Sequence, residues 1–399
     1  MTLASRLATA LLLLASLAGC QQSDTPKTKT RTEAAANSGP VRIYIGTYTN
    51  AKSKGVYAMD LDARTGSLTA PRLAAETPSP SFLALHPNKG FLYAVNEVDT
   101  FDGQKTGSVT AFEIAGNDGS LRQLNQQPSG GAGPCHLEVD PTGHTVLVAN
   151  YGAGSIESVP LNADGSMKAP SSQIQHQGSS VDRSRQEGPH AHCITVAPGS
   201  AGSNERVLVA DLGLDKILLY RLGEDGKLSP NEPPSGSAPA GAGPRHIAFG
   251  RSGRFVYVNN EMGSSVTAYS YDPGSGAMTQ LQTLSTLPAG ADKKGNSTAE
   301  IAVHPSGKFC YVSNRGHNSV AVFKVDPQTG KLTAAGHTPT GGKTPRSFGI
   351  DPSGQFLLAA NQDSDTVVVF RIDQGSGALT PTGTVANVPT PVCVTFLPR

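Results

Sequence analysis

Two histidines that lie two residues apart form the first pattern suited to chemistry. They are His190 and His192, in the segment 188–192 with the sequence Gly-Pro-His-Ala-His. Side chains two residues apart on an extended segment point to the same side. An imidazole changes its charge near neutral pH, so either histidine could serve as a general acid or base. The same pattern also fits a metal ligand or a structural hydrogen bond.

Three arginines, Arg245, Arg315 and Arg346, and one glutamate, Glu261, offer a second kind of chemistry. Guanidinium groups that share a site repel each other unless carboxylates or bound anions neutralise them, so such a cluster indicates anion binding. A β-hairpin register that sets Arg245 roughly opposite Asn259 would bring Glu261 close to Arg245. A structural ion pair between the two is the alternative, and it does not exclude a functional one.

The elements that must position these residues come from a repeat. A short apolar strand that ends in a tight turn recurs seven times, beginning near residues 82, 136, 193, 246, 300, 347 and 393. A turn containing Pro or Gly and a second strand follow each of the first six copies. A third strand and another glycine turn then lead to a fourth strand. Four antiparallel strands, repeated seven times without helical periodicity, predict an all-β, seven-bladed β-propeller.

The two ends of the repeat predict how the ring closes. The strand at 42–47 matches a second strand of the repeat, and the strand at 392–397 matches a first strand. Pairing of these N- and C-terminal strands would complete one blade and hide the sheet edges. We therefore expect a single domain over residues 40–399.

The propeller would bring the candidate residues to one mouth of its central channel. The start of each first strand and the end of each second strand share a rim, because antiparallel strands alternate in direction. His192, Arg245 and Arg346 precede first strands, whereas Glu261 and Arg315 follow second strands. In five blades, an asparagine stands one residue before the position that follows the second strand. These residues are Asn96, Asn150, Asn260, Asn314 and Asn361. An asparagine amide commonly satisfies backbone groups at a tight bend, which is the alternative to substrate binding.

The N-terminal segment predicts export. Residues 1–20 have the pattern of a signal peptide, with Arg6 before an apolar stretch and the final residues Leu-Ala-Gly-Cys, similar to a bacterial lipobox. Cys20 would then carry the lipid anchor, and the polar residues 21–39 would form a tether. Gln21 after the lipidated cysteine favours the outer membrane. We expect an exported lipoprotein on the periplasmic side of a bacterial envelope, and an apolar core helix is the alternative.

Composition limits the partners of the chain. Its 32 Lys and Arg and 31 Asp and Glu leave a net charge of +1, so no basic field favours nucleic acid. No apolar run reaches the roughly 18 residues needed to cross a bilayer, so the lipid anchor would be the contact with the membrane. The other four cysteines lack zinc-site spacing and are predicted to be buried thiols, although a Cys135–Cys193 disulfide remains an option.

Five ordered motifs together carry a family resemblance. They are 44–49 (Tyr-Ile-Gly-Thr-Tyr-Thr), 188–192, 243–246 (Gly-Pro-Arg-His), 260–261 (Asn-Glu) and 313–316 (Ser-Asn-Arg-Gly). The chain over 40–399 resembles the seven-bladed lactonase family, which contains bacterial 6-phosphogluconolactonases and fungal carboxy-cis,cis-muconate cyclases. The resemblance implies an enzyme that opens or forms a lactone at the channel mouth and requires no cofactor.

The resemblance also implies roles for individual residues. The cyclases have a proposed His, Arg, Glu, Arg constellation, and His192, Arg245, Glu261 and Arg315 match it as catalytic candidates. The candidates for binding a small, anionic lactone are His136, His190, Arg346, Asn150, Asn260 and Asn314. The family's phosphorylated substrate is cytoplasmic, whereas the lipobox indicates export, so an unphosphorylated or another acidic lactone is an alternative substrate.

The mechanism that these residues favour is attack by water. The chain has no Gly-X-Ser-X-Gly segment, which argues against a serine nucleophile. Glu261 or His192 would activate the water, Arg245 and Arg315 would face the developing negative charge, and Arg346 would hold the substrate's phosphate or carboxylate.

Three other interpretations stay open. One is a non-catalytic binding or scaffold propeller of the YVTN-repeat type, and another is a lactone-forming cyclase. The third is a metal-dependent lactonase with Glu97, Asn150, Asn260 and Glu261 as oxygen ligands. The arginines at the same mouth argue against a bound dication.

Overall fold

The computed structural model describes residues 39–49, 52–199 and 205–398. The expected signal peptide over 1–20, the lipidation at Cys20, and all but the last residue of the expected tether lie outside these described residues. No helix in the described part of the chain is long and apolar enough to cross a membrane.

Twenty-eight strands form seven antiparallel sheets of four strands each, and every sheet is one blade. Blade 1 begins with β1 (Val41–Thr47), β2 (Gly55–Leu61) and β3 (Arg72–Glu76). Blade 2 contains β4 (Leu83–Leu85), β5 (Phe91–Asn96), β6 (Ser108–Ala115) and β7 (Ser120–Pro128). Blade 3 contains β8 (Pro134–Val139), β9 (Thr145–Asn150), β10 (Ser155–Pro160) and β11 (Ser172–Gln175). Blade 4 contains β12 (Ala191–Val196), β13 (Glu205–Asp211), β14 (Lys216–Leu222) and β15 (Leu228–Ser237).

The remaining blades follow the same order. Blade 5 contains β16 (Pro244–Phe249), β17 (Phe255–Asn260), β18 (Ser265–Tyr271) and β19 (Met278–Ser285). Blade 6 contains β20 (Ser297–Val303), β21 (Phe309–Arg315), β22 (Ser319–Val325) and β23 (Leu332–Pro339). Blade 7 contains β24 (Pro345–Ile350), β25 (Phe356–Asn361), a short 3₁₀ helix (Gln362–Ser364), β26 (Thr366–Ile372) and β27 (Leu379–Asn387). The last strand, β28 (Pro391–Leu397), returns to blade 1.

The predicted ring closure is confirmed. β28 pairs antiparallel with β1, with Ile45 opposite Val394 and Arg42 opposite Leu397. The first strands of neighbouring blades contact each other all the way around the ring and form its inner layer. The chain is therefore an all-β, seven-bladed propeller whose first blade contains strands from both ends of the described residues.

Apolar faces of adjacent blades form the core. The described residues make seven hydrophobic clusters, and each cluster combines side chains of two neighbouring blades. Between blades 2 and 3, for example, Tyr93 and Val95 pack with Val146 and Val148. The Tyr93 hydroxyl also donates to the carbonyl of Gly165 at 2.8 Å. Repetition of such contacts fixes each blade against the next.

The strand pairs confirm that two sets of residues share one rim. Ala191, at the start of β12, lies opposite Asp211, at the end of β13. Pro244 and Asn260 have the same relation in blade 5. Residues at the starts of first strands and the ends of second strands are thus neighbours at one mouth of the channel.

Candidate active site

The side chains at this mouth owe their orientation to a repeated β-bulge. In five first strands, the pairing skips one residue near the start of the strand; apart from Val392 in β28, the skipped residues are Cys135, His192, Arg245 and Arg346. A bulge adds a residue to one strand and redirects its side chain, and bulges are common beside active sites. The same local device therefore presents four different side chains at the mouth.

Because of this bulge, the register of blade 5 differs from the predicted one. Arg245 was expected to lie roughly opposite Asn259, but His246 occupies that position and Arg245 is the extra residue between two paired ones. The expectation was wrong by one residue because a bulge is not visible in the alternation of side chains. The predicted contact with Glu261 still forms, because the bulged Arg245 is directed toward it.

Glu261 is the centre of the site. Its Oε2 atom accepts from Arg245 Nε at 3.0 Å and lies 2.9 Å from Arg315 Nη2. Its Oε1 atom accepts from Arg185 Nη2 at 2.8 Å. His192 Nε2 lies 3.9 Å from Oε2. The structure thus brings the four catalytic candidates together and adds a third arginine to them.

The arginines determine the charge of Glu261. Burial alone would raise the pKa of this carboxyl, but the charges of Arg315, Arg245 and Arg185 outweigh burial and lower the pKa to about 2. Burial lowers the pKa of Arg315 to about 10. Glu261 is therefore one carboxylate surrounded by three cations, and this local excess of positive charge suits an anionic ligand.

His192 is a neutral imidazole beside this charged group. Burial lowers the pKa of His192 well below its usual value, and the charges of Arg245 and His246 act in the same direction. Its Nδ1 atom lies 3.6 Å from the Cys135 Sγ atom, and its ring meets Tyr151 edge-on at 5.2 Å. A neutral imidazole can accept a proton, and its neighbour Glu261 would stabilise the cation that results.

His190 occupies a different position. Its ring stacks on Tyr151 at 4.6 Å, and its Nδ1 atom lies 3.0 Å from the Tyr151 carbonyl oxygen. Its backbone N–H donates to Asp211 at 2.8 Å. These contacts fix the segment that carries both histidines, and His192 is the one that approaches Glu261.

Arg346 lies near this group but makes its closest contacts elsewhere. Its guanidinium stacks over the Tyr48 ring at 5.1 Å, and the Tyr48 hydroxyl is 2.9 Å from both carboxylate oxygens of Glu97. Within the described residues, this guanidinium has no ion pair and no hydrogen bond. Its donors are free for a ligand, as the predicted role in anion binding requires.

A chain of hydrogen-bonded buried groups, His246 and Glu300, fixes the guanidinium of Arg245. Arg245 Nη1 donates to His246 Nε2 at 3.2 Å, and His246 Nδ1 lies 2.9 Å from the Glu300 carboxylate. Because an arginine only donates, His246 must accept at Nε2 and donate from Nδ1 to Glu300. The candidate His136 continues this layer, with its ring 5.2 Å from that of His246 and 4.1 Å from Phe82.

The three candidate asparagines donate to groups of their own blades or of the connections that lead into those blades. Their side chains are fully buried. Asn150 donates to the Ser129 carbonyl at 2.8 Å, Asn260 to Ser265 Oγ at 3.0 Å, and Asn314 to the Thr286 carbonyl at 2.8 Å. This arrangement favours the bend-stabilising interpretation over contact with a substrate.

Arg185 is the functional candidate that sequence reasoning missed. It lies in the connection 176–190 between β11 and β12, which is far longer than the connection 129–133 between β7 and β8. Gln186 anchors this segment by donating to the Leu212 carbonyl at 2.8 Å. Arg185 also donates to the Tyr151 hydroxyl at 3.0 Å. The unusual length of the connection was the signal that could have identified it.

The structure also bears on the disulfide option and on the metal-dependent alternative. Cys135 and Cys193 are both buried free thiols, so the disulfide considered above is absent from this structure. Among the described residues, no group of three or more His, Cys, Asp or Glu side chains is arranged to hold a metal ion. Glu261, one ligand of the metal-dependent alternative, is engaged by three arginines instead.

Comparison with known proteins matches the chain to a family. Residues 42–396 match the family described as Lactonase, 7-bladed beta-propeller. The 6-phosphogluconolactonase of Bacillus subtilis (strain 168) is 39% identical over 354 residues, which cover 89% of this chain and 97% of that relative. The 6-phosphogluconolactonase of Formosa agariphila is 33% identical over 315 residues, which cover 77% of this chain and 85% of the relative.

Solved structures give the same result. The periplasmic gluconolactonase of Pseudomonas aeruginosa has a TM-score of 0.83 and 31% sequence identity, and the match covers 90% of this chain and 99% of that one. A protein from Lactobacillus plantarum has a TM-score of 0.82 and 34% identity, with 90% of this chain and 100% of that one covered.

Proposed function

The chain belongs to the seven-bladed β-propeller lactonase family, and from this premise we propose that it hydrolyses an anionic sugar lactone at the channel mouth. The observation that carries the proposal is the group around Glu261, where three arginines and a neutral His192 meet one buried carboxylate. Relatives named 6-phosphogluconolactonase support the choice of reaction and make 6-phosphoglucono-lactone the first substrate to test.

In the proposed reaction, water is the nucleophile. The pair formed by His192 and Glu261 removes a proton from the water as the oxygen attacks the lactone carbonyl carbon. The ring C–O bond then breaks, and the leaving alkoxide takes up the proton. The open-chain sugar acid then loses the second proton of the water to the solvent and leaves as its carboxylate, and the mechanism requires only residues of the chain and water.

Two arginines are proposed to stabilise the transition state. Negative charge develops on the carbonyl oxygen during attack, and preorganised donors lower the barrier most when they already face that position. Arg245 and Arg315 are fixed at 3.0 Å and 2.9 Å from the same oxygen of Glu261, and their remaining N–H groups would face the carbonyl oxygen. Removal of one such donor typically reduces kcat by about 100-fold to 1,000-fold.

Arg346 is proposed to bind the anionic group of the substrate. Its guanidinium is fixed on the Tyr48 ring while its donors remain available. A guanidinium can hold a phosphate or carboxylate by two parallel hydrogen bonds, which also orients the substrate. The lactone carbonyl would then be directed toward Glu261.

Proton release in weakly buffered solution tests the proposal. The purified protein would be compared with its Arg245→Ala and Glu261→Gln variants, after subtraction of spontaneous hydrolysis. The substrates would be 6-phosphoglucono-lactone, plain glucono-lactone and a dicarboxylic lactone. We expect catalysed release with the anionic lactones and a loss of about 100-fold or more in both variants.

A control variant comes from the same blade. Arg251 is exposed in the turn between β16 and β17 at the opposite rim, and Arg251→Ala should retain full activity. Full turnover by Arg245→Ala would refute the assigned roles. No release with any lactone would favour the non-catalytic binding propeller, and proton uptake with an open-chain acid, without release from any lactone, would favour a cyclase.

We also propose that the protein is an exported lipoprotein, anchored through Cys20 on the periplasmic side of the envelope, with the outer membrane favoured by Gln21. The name of the Pseudomonas aeruginosa relative, a periplasmic gluconolactonase, supports export and makes plain glucono-lactone the second candidate substrate. Fractionation of cells that express the wild type or Cys20→Ser is the test. Membrane association that survives the substitution would refute the anchor.

A further inference from the structure

The carboxylate of Glu261 is held unequally at its two oxygens. Oε2 is shared by Arg245 and Arg315, and His192 approaches the same atom at 3.9 Å. Among the described residues, the partner of Oε1 is Arg185 alone, at 2.8 Å. One contact therefore decides whether Oε1 is free.

Arg185 is also the most accessible of the three arginines. Its side chain is 43% exposed, compared with 3% for Arg245 and 16% for Arg315. Arg245 and Arg315 belong to strands, whereas Arg185 belongs to the connection between β11 and β12. A solute can reach Arg185 from the mouth, and Arg185 can change its partner by rotating its side chain while the strands stay in place.

We propose that Arg185 is a specificity-determining residue that exchanges Glu261 for the anionic group of the lactone, a group that it would hold together with Arg346. Binding of a phosphate or carboxylate on the substrate would draw the guanidinium away from Oε1. Recognition of the anion and release of the catalytic carboxylate would then be one event. This inference rests on the proposed function and adds to it a reason why the site would prefer anionic lactones.

Release of Oε1 would change the basicity of the site. The groups that face Glu261 are Arg185, Arg245, Arg315, Arg346, Tyr151 and His192. With Arg185 paired to the substrate, one cation leaves the carboxylate, the pKa of Glu261 rises from its low resting value, and the negative field at His192 strengthens. The pair then accepts a proton from water more readily.

An uncharged lactone would not cause this change. It offers no anion to Arg185, so the guanidinium would stay on Oε1 and the pair would remain a weak base. The preference for anionic substrates would then lie partly in kcat, whereas a simple anchoring residue would affect KM alone.

Arg185→Gln distinguishes these possibilities when kcat and KM are measured with 6-phosphoglucono-lactone and with plain glucono-lactone. For the phosphorylated lactone, kcat/KM should fall about tenfold or more, because a charge-assisted contact is lost. For plain glucono-lactone, kcat should rise, because Oε1 is then permanently free. The acid limb of kcat for plain glucono-lactone should move to higher pH.

Arg183→Gln is the matched control, because Arg183 is exposed on the same segment. It should leave both substrates unaffected. Equal losses on the two lactones in Arg185→Gln, or an unchanged acid limb, would refute the exchange of partners while leaving the proposed lactonase activity intact.

A binding measurement separates this inference from the proposed function. Calorimetric titration with inorganic phosphate should give a Kd about tenfold weaker in Arg185→Gln than in the wild type or in Arg183→Gln. If the wild type hydrolysed no lactone, the proposed function would fail, and the phosphate titration alone would decide on Arg185. Equal phosphate affinity in all three proteins would refute its role in binding the anion.

Discussion

The two rims of the propeller use the same residue types in opposite ways. At the rim away from the mouth, His86 Nε2 lies 2.9 Å from the Gly143 carbonyl oxygen of the next blade. His304 repeats this contact with Gly354 at 2.8 Å. At the mouth, His192 has no such counterpart, because the bulges of the other blades present Cys135, Arg245 and Arg346 instead.

This difference teaches how to separate structure from function in a repeat protein. A residue that recurs with the same partner in several blades serves the packing that all blades share. A residue that differs from blade to blade at an equivalent position is not needed by the fold there, and it is available for chemistry. Substitutions at the mouth should therefore affect catalysis, and substitutions at the opposite rim should affect stability.

The largest effect is expected for His192→Gln. Loss of a general base typically reduces kcat by about 100-fold to 10,000-fold. The thermal midpoint should change little, because the closest ionic contact of the ring, at 3.9 Å from Glu261, is long. Parallel measurement of kcat and Tm checks both expectations. A large fall in Tm with normal kcat would show that His192 serves the fold and not catalysis.

The next effect is a loss of folding stability at low pH. The Glu261 pKa of about 2 lies below the value of about 4.3 for a glutamate in an unfolded chain. A carboxyl with a lowered pKa stabilises the fold fully above pH 4.3, and this contribution disappears as the pH falls toward 2. The free energy of unfolding of the wild type should therefore fall more steeply over this range than that of Glu261→Gln.

Urea unfolding at a series of pH values measures this difference. Parallel curves for the two proteins would show that the arginines do not hold the charge of Glu261 in the folded state. The contact between Arg185, Arg245, Arg315 and this carboxylate would then have to be weaker in solution than the distances indicate.

A smaller effect is expected for Arg346→Ala. KM for 6-phosphoglucono-lactone should rise about tenfold, because a charged, two-point contact with the substrate is lost. Both kcat and the kinetics of plain glucono-lactone should be nearly unchanged. A fall in kcat with constant KM would instead place Arg346 among the groups that act on the transition state.

The smallest effect is expected at the opposite rim. His304→Ala removes one of the two side-chain donors to the buried Gly354 carbonyl, the other being Gln374 Nε2, and should reduce the free energy of unfolding by about 1 kcal/mol. Steady-state kinetics should match those of the wild type. A loss of activity at unchanged stability would show that the opposite rim contributes to function.

Most of the fold could be predicted because its determinants are local. Seven blades could be predicted from the turns containing Pro and Gly and from the alternation of apolar residues. The pairing of β1 with β28 could be predicted because the chain begins with a second strand and ends with a first strand of the repeat. The strands predicted at 42–47 and 392–397 agree with β1 (Val41–Thr47) and β28 (Pro391–Leu397). These features depend on neighbours in sequence, and each recurs several times.

The site could be predicted only in part, because its details depend on departures from the repeat. His192, Arg245, Glu261 and Arg315 meet as expected, since the order of strands brings them to one rim. Arg185 escaped notice because its connection, 176–190, is longer than the equivalent connections of the other blades and so departs from the repeat. The direction of the asparagine side chains escaped notice too, because the same residue type serves a bend or a ligand equally well.

The bulges also bear on how such a ring can diverge. The extra residue stands outside the regular pairing, so its side chain can be exchanged without shifting the register of the strands that flank it. The positions of Cys135, His192, Arg245 and Arg346 are then four sites at which the side chain can change while the strands keep their pairing. A library that varies these positions alone would alter substrate choice while leaving the blades to fold as before, and natural selection has had the same freedom.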